Sequence, residues 1–204
     1  MSYEDIITKH AKKFVGNDKK TPILNGIHYA ADGTVYVTDR HQVLRIRNAH
    51  NFKEPITLHA KTGTPISGTY PDVEKVLSKL KFSNVIYLGQ VSELNQAVLA
   101  TNCALAVASE LSKVPMVQMT VENGVCYLNV IGESINLKAF FGNALKADSS
   151  QRTLNPRYLA NALGVFADKL ERASVYVKIG DHNEPILVTD DKDIDVVIMP
   201  FRTV

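Results

Sequence analysis

The chain lacks the features that mark several large classes of protein. No apolar run approaches the roughly 20 residues that cross a bilayer. The opening Met1-Ser2-Tyr3-Glu4-Asp5 is acidic and polar where a secretory leader would be basic and then apolar. Its two cysteines, Cys103 and Cys126, are too few for the disulfide framework of a small secreted domain. A cytoplasmic protein is therefore expected, with both thiols acting as small core residues. The histidines show no metal-ligand spacing. The run Asp190-Asp191-Lys192-Asp193 lacks the glycine and closing glutamate of a calcium loop and reads as a solvated hairpin tip. No Ser/His/Asp arrangement, phosphate-cradling glycine loop or paired catalytic carboxylate stands out, so neither catalysis nor a cofactor nor a metal is expected.

What is present is an ordinary globular composition. With 204 residues, 45% of them hydrophobic, the chain can bury one sizeable core or two small ones. The net charge of +2 neither demands nor excludes nucleic acid, because a protein that holds DNA needs positive potential on one surface only. Charge is segregated along the chain: Lys9, Lys12, Lys13, Lys19 and Lys20 lie in the first twenty residues, whereas Asp181, Glu184, Asp190, Asp191, Asp193 and Asp195 lie near the end.

Periodicity predicts a rhythm of helices and antiparallel strands. Ile6, Ile7, His10, Ala11 and Phe14 recur at helical spacing, predicting a helix from Glu4 to Phe14 with lysine on its outer face. Strands are predicted at residues 23–30, 34–38, 42–47 and 55–60, the first two joined through Asp32-Gly33, a tight-turn pair. A Gly/Pro/Thr-rich connection over residues 63–71 then marks a division into units 1–70 and 71–204. In the second unit a strand is predicted at 84–88, followed by a helix capped by Ser92 with Leu94, Val98 and Leu105 inward. Further strands follow at 116–121, 125–131 and 136–141. Asn155-Pro156 starts a helix carrying Leu159, Leu163, Phe166 and Leu170 on one face, and strands at 175–179, 186–189 and 195–199 finish the chain. Three helix-plus-meander units predict an α+β fold.

The ending Val197-Ile198-Met199-Pro200-Phe201-Arg202 is apolar where most chains fray, and an apolar tail is expected to lie against a sheet and wall an apolar site. It resembles the VVMPMRL-type ending of the bacterial DNA polymerase III β sliding clamps. Other segments resemble that family in the same order: Thr21-Pro22-Ile23-Leu24-Asn25-Gly26-Ile27, Val37-Thr38-Asp39-Arg40-His41-Gln42-Val43, Gly68-Thr69-Tyr70-Pro71-Asp72-Val73-Glu74-Lys75-Val76-Leu77, Asn155-Pro156-Arg157-Tyr158-Leu159 and Glu184-Pro185-Ile186-Leu187. The resemblance covers the family's second and third domains, the second shortened between His50 and Pro55, and the family's first domain has no counterpart. Such a reduced chain fits a phage or prophage.

The resemblance implies a DNA clamp-like fold and a processivity factor that oligomerises around duplex DNA, contacting phosphates without reading sequence. It implies a cleft that takes a short apolar peptide from DNA polymerase and other clients. Its residues would be Leu24, Thr38, Arg40, His41, Val43, Ser78, Tyr158, Pro185, Val197, Ile198, Met199, Pro200, Phe201 and Arg202, an apolar floor with a few polar groups at its rim. Arg40 stands where the family has glycine, and Ser78 where it has proline. Lys9, Lys12, Lys13, Arg157 and Lys169 would face DNA. Ala97-Val98-Leu99 resembles a ring-closing segment, which implies that Val98 and Leu99 meet a neighbouring subunit, although both also suit a core. Were the family's twelve-helix pore kept, four chains would be needed. The alternative is a clamp mimic that captures client peptides or a host clamp without encircling DNA.

Overall fold

The computed structural model describes residues 1–89, 91–145, 149–168, 174–180 and 184–201. These residues form four α-helices and twelve strands, in the order α1 (Tyr3–His10), β1 (Gly26–Tyr29), β2 (Val35–Thr38), β3 (Gln42–Ile46), β4 (Ile56–His59), α2 (Val73–Leu77), β5 (Asn84–Tyr87), α3 (Val91–Leu111), β6 (Val117–Glu122), β7 (Val125–Ile131), β8 (Asn136–Ala144), β9 (Ser150–Leu154), α4 (Pro156–Ala167), β10 (Tyr176–Ile179), β11 (Ile186–Thr189) and β12 (Ile194–Ile198). The class is α+β, as the alternation of periods predicts. The strands run antiparallel in one sheet ordered β4-β1-β2-β3-β12-β11-β10-β5-β8-β7-β6-β9.

One row of side chains shows how the sheet is held. Val37, Leu44, Val196, Val188, Val177 and Ile86 are register partners across six neighbouring strands, and each is fully buried. Burying one such side chain is worth about 2 kcal/mol against leaving it in water. Residues of α1 (Ile6, Ile7) and α4 (Leu159, Leu163, Phe166) join the same core, so these helices cover this face. The opposite face is left to other uses.

Local chemistry sets the helix ends. Ser2 caps α1 and forms a reciprocal pair with Asp5. The helix then tightens into a 3₁₀ turn over Ala11–Lys13, one turn short of the predicted α-helical end at Phe14. Asn155 caps α4 by accepting from the Arg157 N–H, with Pro156 at the first helical position. The predicted first strand is shorter than expected because Pro22–Asn25 winds into a 3₁₀ turn before β1.

Four expectations need correction. The buried stripe of α3 is Leu94, Ala97, Ala100, Ala104 and Ala108, while Val98 and Leu105 are only half-buried. Small side chains let this helix pack closely, and a pattern weighted toward large residues rotates it by one position. Strand β9 was not predicted: its inward residues are Arg152 and Leu154, a pattern with one apolar member. Cys103 is exposed, whereas Cys126 is buried and its thiol is pushed up by desolvation. Asp190 is no solvated tip. It is buried, and its Oδ1 accepts from the N–H groups of Lys192, Asp193 and Ile194 at 3.0 Å each.

The halves of the sheet meet at a thin seam, where β5 and β8 pair only at Ile86↔Ala144 and Tyr87↔Asn143. Gly142 sits there because a Cβ would come within 2.8 Å of Leu88 and 2.9 Å of Ile86. A broader joint lies at β3–β12, five residue pairs long, which ties the strands on either side of residue 70 into one ladder.

The helices α1 and α4 are joined by ions. His10 Nε2 lies 2.6 Å and Lys9 Nζ 2.8 Å from Asp168 Oδ2. Burial holds the His10 imidazole below its ordinary value of 6.5, although Asp168 pulls the other way. Burial raises Asp168, but Lys9 and His10 outweigh it and hold the carboxyl below the usual range. A depressed imidazole resists a proton that the unfolded chain accepts, so its contribution is complete above about pH 6.5 and is lost as pH falls through the folded value. His28, also depressed by burial, acts in the same direction. Urea midpoints should therefore fall between about pH 7.5 and about pH 5, and fall less steeply in His10→Gln than in the parent.

Candidate functional site

The face of the sheet turned away from α1 and α4 carries two alternating rows. In one, Tyr36, Arg45, Asp195 and Thr189 are register partners on β2, β3, β12 and β11. In the next, Thr38, Val43, Val197 and Leu187 are partners on the same strands. His41, Pro185 and Met199 lie just beyond the ends of β3, β11 and β12, and there the His41 ring meets Tyr158 of α4. Ile198 lies elsewhere: it is fully buried in the core on the helix side, and its predicted place in the cleft is corrected accordingly. Val197 and Leu24, each 2% exposed, are buried apart from the main core.

The polar row anchors α2 onto this face. Glu74 Oε1 accepts from Tyr36 Oη at 2.7 Å and from Arg45 Nη1 at 2.6 Å, while Arg45 Nη2 donates to Asp195 Oδ2 at 2.6 Å. Burial raises the Glu74 carboxyl, but the Arg45 and Tyr36 bonds prevail and hold it below the usual range. The Tyr36 phenol is pushed well up by burial and by the Glu74 carboxylate. Asp72 caps α2, and the exposed Ser78 ends it. Tyr36, Arg45 and Glu74 escaped sequence reasoning. For Tyr36 and Arg45 the signal was the period of two on β2 and β3, which sets Tyr36 beside Thr38 and Arg45 beside Val43.

The turn between β2 and β3 supplies the rim. Asp39 Oδ1 accepts from the N–H groups of His41 at 2.8 Å and Gln42 at 2.9 Å, and the Arg40 N–H donates to Thr38 Oγ1 at 3.0 Å. This closes the turn with Arg40 in the left-handed region, at φ 78°. The Arg40 guanidinium donates to Thr21 Oγ1, on the residue that leads into the turn bearing Leu24. The Met199 N–H donates to the His41 carbonyl and the Phe201 N–H to the Thr153 carbonyl, each at 2.8 Å, which pins the tail as its apolarity predicts. The His41 ring lies parallel to Tyr158 at 6.1 Å. The structure thus gathers Thr38, Arg40, His41, Val43, Tyr158, Pro185, Val197, Met199, Pro200 and Phe201 around the end of the β3–β12 ladder, and Leu24 lies in the turn that follows Thr21, the partner of Arg40. Arg202 lies outside the described residues.

The other face is a layer of helices in which α4 packs against both α1 and α3. Lys12 and Lys13 are exposed on the turn that follows α1, Lys9 is half-exposed despite its bond to Asp168, and Arg157 is exposed in the first turn of α4. Lys169 lies outside the described residues. The 21-residue α3 carries no lysine or arginine; its charged residues are Glu93 and Glu110. Leu99 on α3 is 64% exposed and Val98 half-buried.

A groove of ≈ 500 Å³ opens elsewhere, between the end of α3 and the β7–β8 turn, lined by Leu111, Met116, Ile131 and Ile135 among others. Among the described residues no group of three His, Cys, Asp or Glu side chains could hold a metal, and no helix is long and apolar enough to cross a membrane.

No protein-family model matches the sequence, and no curated protein matches it either. Solved structures do. The β chain of DNA polymerase III from Streptococcus pneumoniae matches all of this chain with a TM-score of 0.80 at 14% identity. The DNA polymerase sliding clamp of Pseudomonas aeruginosa also matches all of it, at 0.79 and 16%, as does the β sliding clamp of C. crescentus, at 0.80 and 16%. This chain spans 64%, 66% and 65% of those three chains respectively, about two thirds of their length. Over the length that it spans, the protein therefore has the fold of the bacterial DNA polymerase III β sliding clamps.

Proposed function

We propose that this protein is a non-catalytic DNA polymerase processivity factor. It assembles with further copies of itself around duplex DNA, meets the phosphates with its helix layer, and tethers client proteins through the cleft at the end of the β3–β12 ladder. The observation that carries this proposal is the match of the entire chain to sliding clamps, with exposed lysines on the helix layer and a partly apolar, pinned C-terminal tail. The division after residue 70 belongs to the same proposal, with the first unit a reduced domain.

Lys12 and Lys13 are the principal phosphate contacts, with Arg157 beside them. Lys9 contributes least, because Asp168 already holds its ammonium. Each neutralised phosphate releases condensed counterion and adds about −0.9 to the slope of log affinity against log salt. Replacing Lys9, Lys12 and Lys13 by glutamate should weaken binding to unrelated duplexes alike and flatten that slope. Unchanged duplex binding by the triple variant across a salt series, with the fold intact by circular dichroism, would overturn the encircling function.

Self-association is supported by an open strand edge. β8 pairs with β7 along its length but with β5 only at Asn143 and Ala144, so on that side residues 136–142 pair with no strand among the described residues. Such an edge is a template for another chain. The exposed Leu99 offers apolar surface for the same purpose, with Val98 beside it. Val98→Asp with Leu99→Asp should therefore lower the mass seen in analytical ultracentrifugation at micromolar concentration while leaving the circular dichroism spectrum in place. Loss of the fold instead would assign both residues to the core.

One observation favours the clamp mimic as a second function: α3, a third of any helix lining, offers no cation. A protein that captures peptides without holding DNA would keep the cleft and show no salt-sensitive duplex binding.

A further inference from the structure

We infer that self-association is homotypic: the open edge of β8 pairs antiparallel with the same edge of a second copy, about a two-fold axis perpendicular to the sheet. This rests on the proposed self-association and names the surface of the partner copy that β8 meets.

The chain carries the pattern of this contact in its own joint. A helix followed by a three-strand meander occurs three times, as α1-β1-β2-β3, α3-β6-β7-β8 and α4-β10-β11-β12. The third strands of the first and last repeats, β3 and β12, pair antiparallel over five residues. Their helices meet above them, where Lys9 and His10 of α1 reach Asp168 at the end of α4. The third strand of the middle repeat is β8, and its corresponding side, the one away from its meander, is open over residues 136–142. Because β3 and β12 occupy each other, the equivalent strand still free to complete β8 is the β8 of another copy.

The two ends of the sheet are guarded, and β8 is not. Beyond β4, the His59 N–H donates to the Thr64 carbonyl and the Ile66 N–H to the Thr57 carbonyl, with Pro65 between them. Beyond β9, the Phe201 N–H donates to the Thr153 carbonyl. Covering segments and proline are among the means by which edges are kept from pairing, as are outward lysines. Residues 136–142 include no proline. Their one charged side chain, Lys138, is turned back onto its own sheet, with Nζ 2.9 Å from Glu122 Oε2 and 4.4 Å from the centre of the Tyr127 ring.

Apolar surface accompanies the edge. Leu137 and Ala139 of β8 pack against the core yet stay half-buried, whereas Leu44 and Val196, which face the helices at the β3–β12 joint, are fully buried. A second β8 would cover the former as β12 covers Leu44. Above, α3 packs on β8 with Leu99 64% exposed, and from Leu94 to Ser109 the helix has no charged residue. Two such helices can therefore approach without like-charge repulsion along that stretch. An antiparallel pair of identical strands has its two-fold perpendicular to the sheet, so both helix layers fall on one side, as the proposed hold on a duplex requires.

The test uses the full chain with the exposed Cys103 changed to serine, which leaves only the buried Cys126. N136C, K138C and F140C are each made in that background, with K192C, at the exposed tip between β11 and β12, as the control. Each variant is first matched to the parent by circular dichroism and then treated with a short bis-maleimide at micromolar concentration. At least one β8 variant should form covalent dimers roughly a hundredfold faster than K192C, because a held pair presents its thiols at millimolar effective concentration. A head-to-tail contact would set β8 against a different segment and give no such self-linkage. A parent that sediments as an oligomer while none of the three β8 variants exceeds the control would overturn the homotypic contact and leave the proposed self-association standing. A parent that sediments as a folded monomer at micromolar concentration would remove self-association itself, and this inference with it.

Discussion

Everything else in this structure depends on the ladder between β3 and β12. It joins residues 42–46 to residues 194–198 through five consecutive pairs, and every residue of β12 is buried. Arg45 and Asp195 are partners inside it, and Arg45 Nη2 lies 2.6 Å from Asp195 Oδ2 with both side chains largely out of water. Removing either ion would leave the other desolvated and short of a partner, at a cost of about 3 kcal/mol or more. Glu74 and Arg47 extend the pair into a network, so the ladder also holds α2.

The same ladder sets both faces of the molecule. Leu44, Val196 and Ile198 point to the helices and fix α1 and α4 above the sheet, whereas Val43 and Val197, one residue along, point the other way and form the floor of the proposed cleft. A one-residue slip would exchange the two sets. The core and the proposed cleft are therefore not separate parts that could vary freely. The tail is the clearest case: Ile198 is fully buried in the core, whereas Met199, one peptide bond on, is 42% exposed and belongs to the proposed cleft.

Strong periodicity made much of this legible. The helices starting near Ser2 and at Asn155 follow from capping residues and apolar spacing, and the meanders follow from alternation and Asp-Gly or Asn-Gly turns. Where size misled, the reason is visible. α3 packs through alanines, so the larger Val98 and Leu105 pointed to the wrong stripe. β9 buries an arginine, whose side chain donates to backbone carbonyls of Gln151 and Gly180. The cleft residues were legible only as a set, through the resemblance; their sorting by face required register, which moved Ile198 to the core. Nothing local in the sequence marks Glu74 as the residue that docks α2. Its partners, Tyr36 and Arg45, are distant in the chain and meet it only once β2 and β3 pair.

The helix layer has a consequence beyond its packing. Lysines crowd the α1 side, α4 lies between, and α3 brings glutamates without a single lysine or arginine. A long polyanion resting on such a surface meets an electrical slope and not a uniform field. For the duplex of the proposed function the pull on the two flanks would be unequal, so that its axis would lean toward α1 instead of standing centred. Raising the ionic strength would level that slope before it abolished contact, and the lean would relax while the rod was still held.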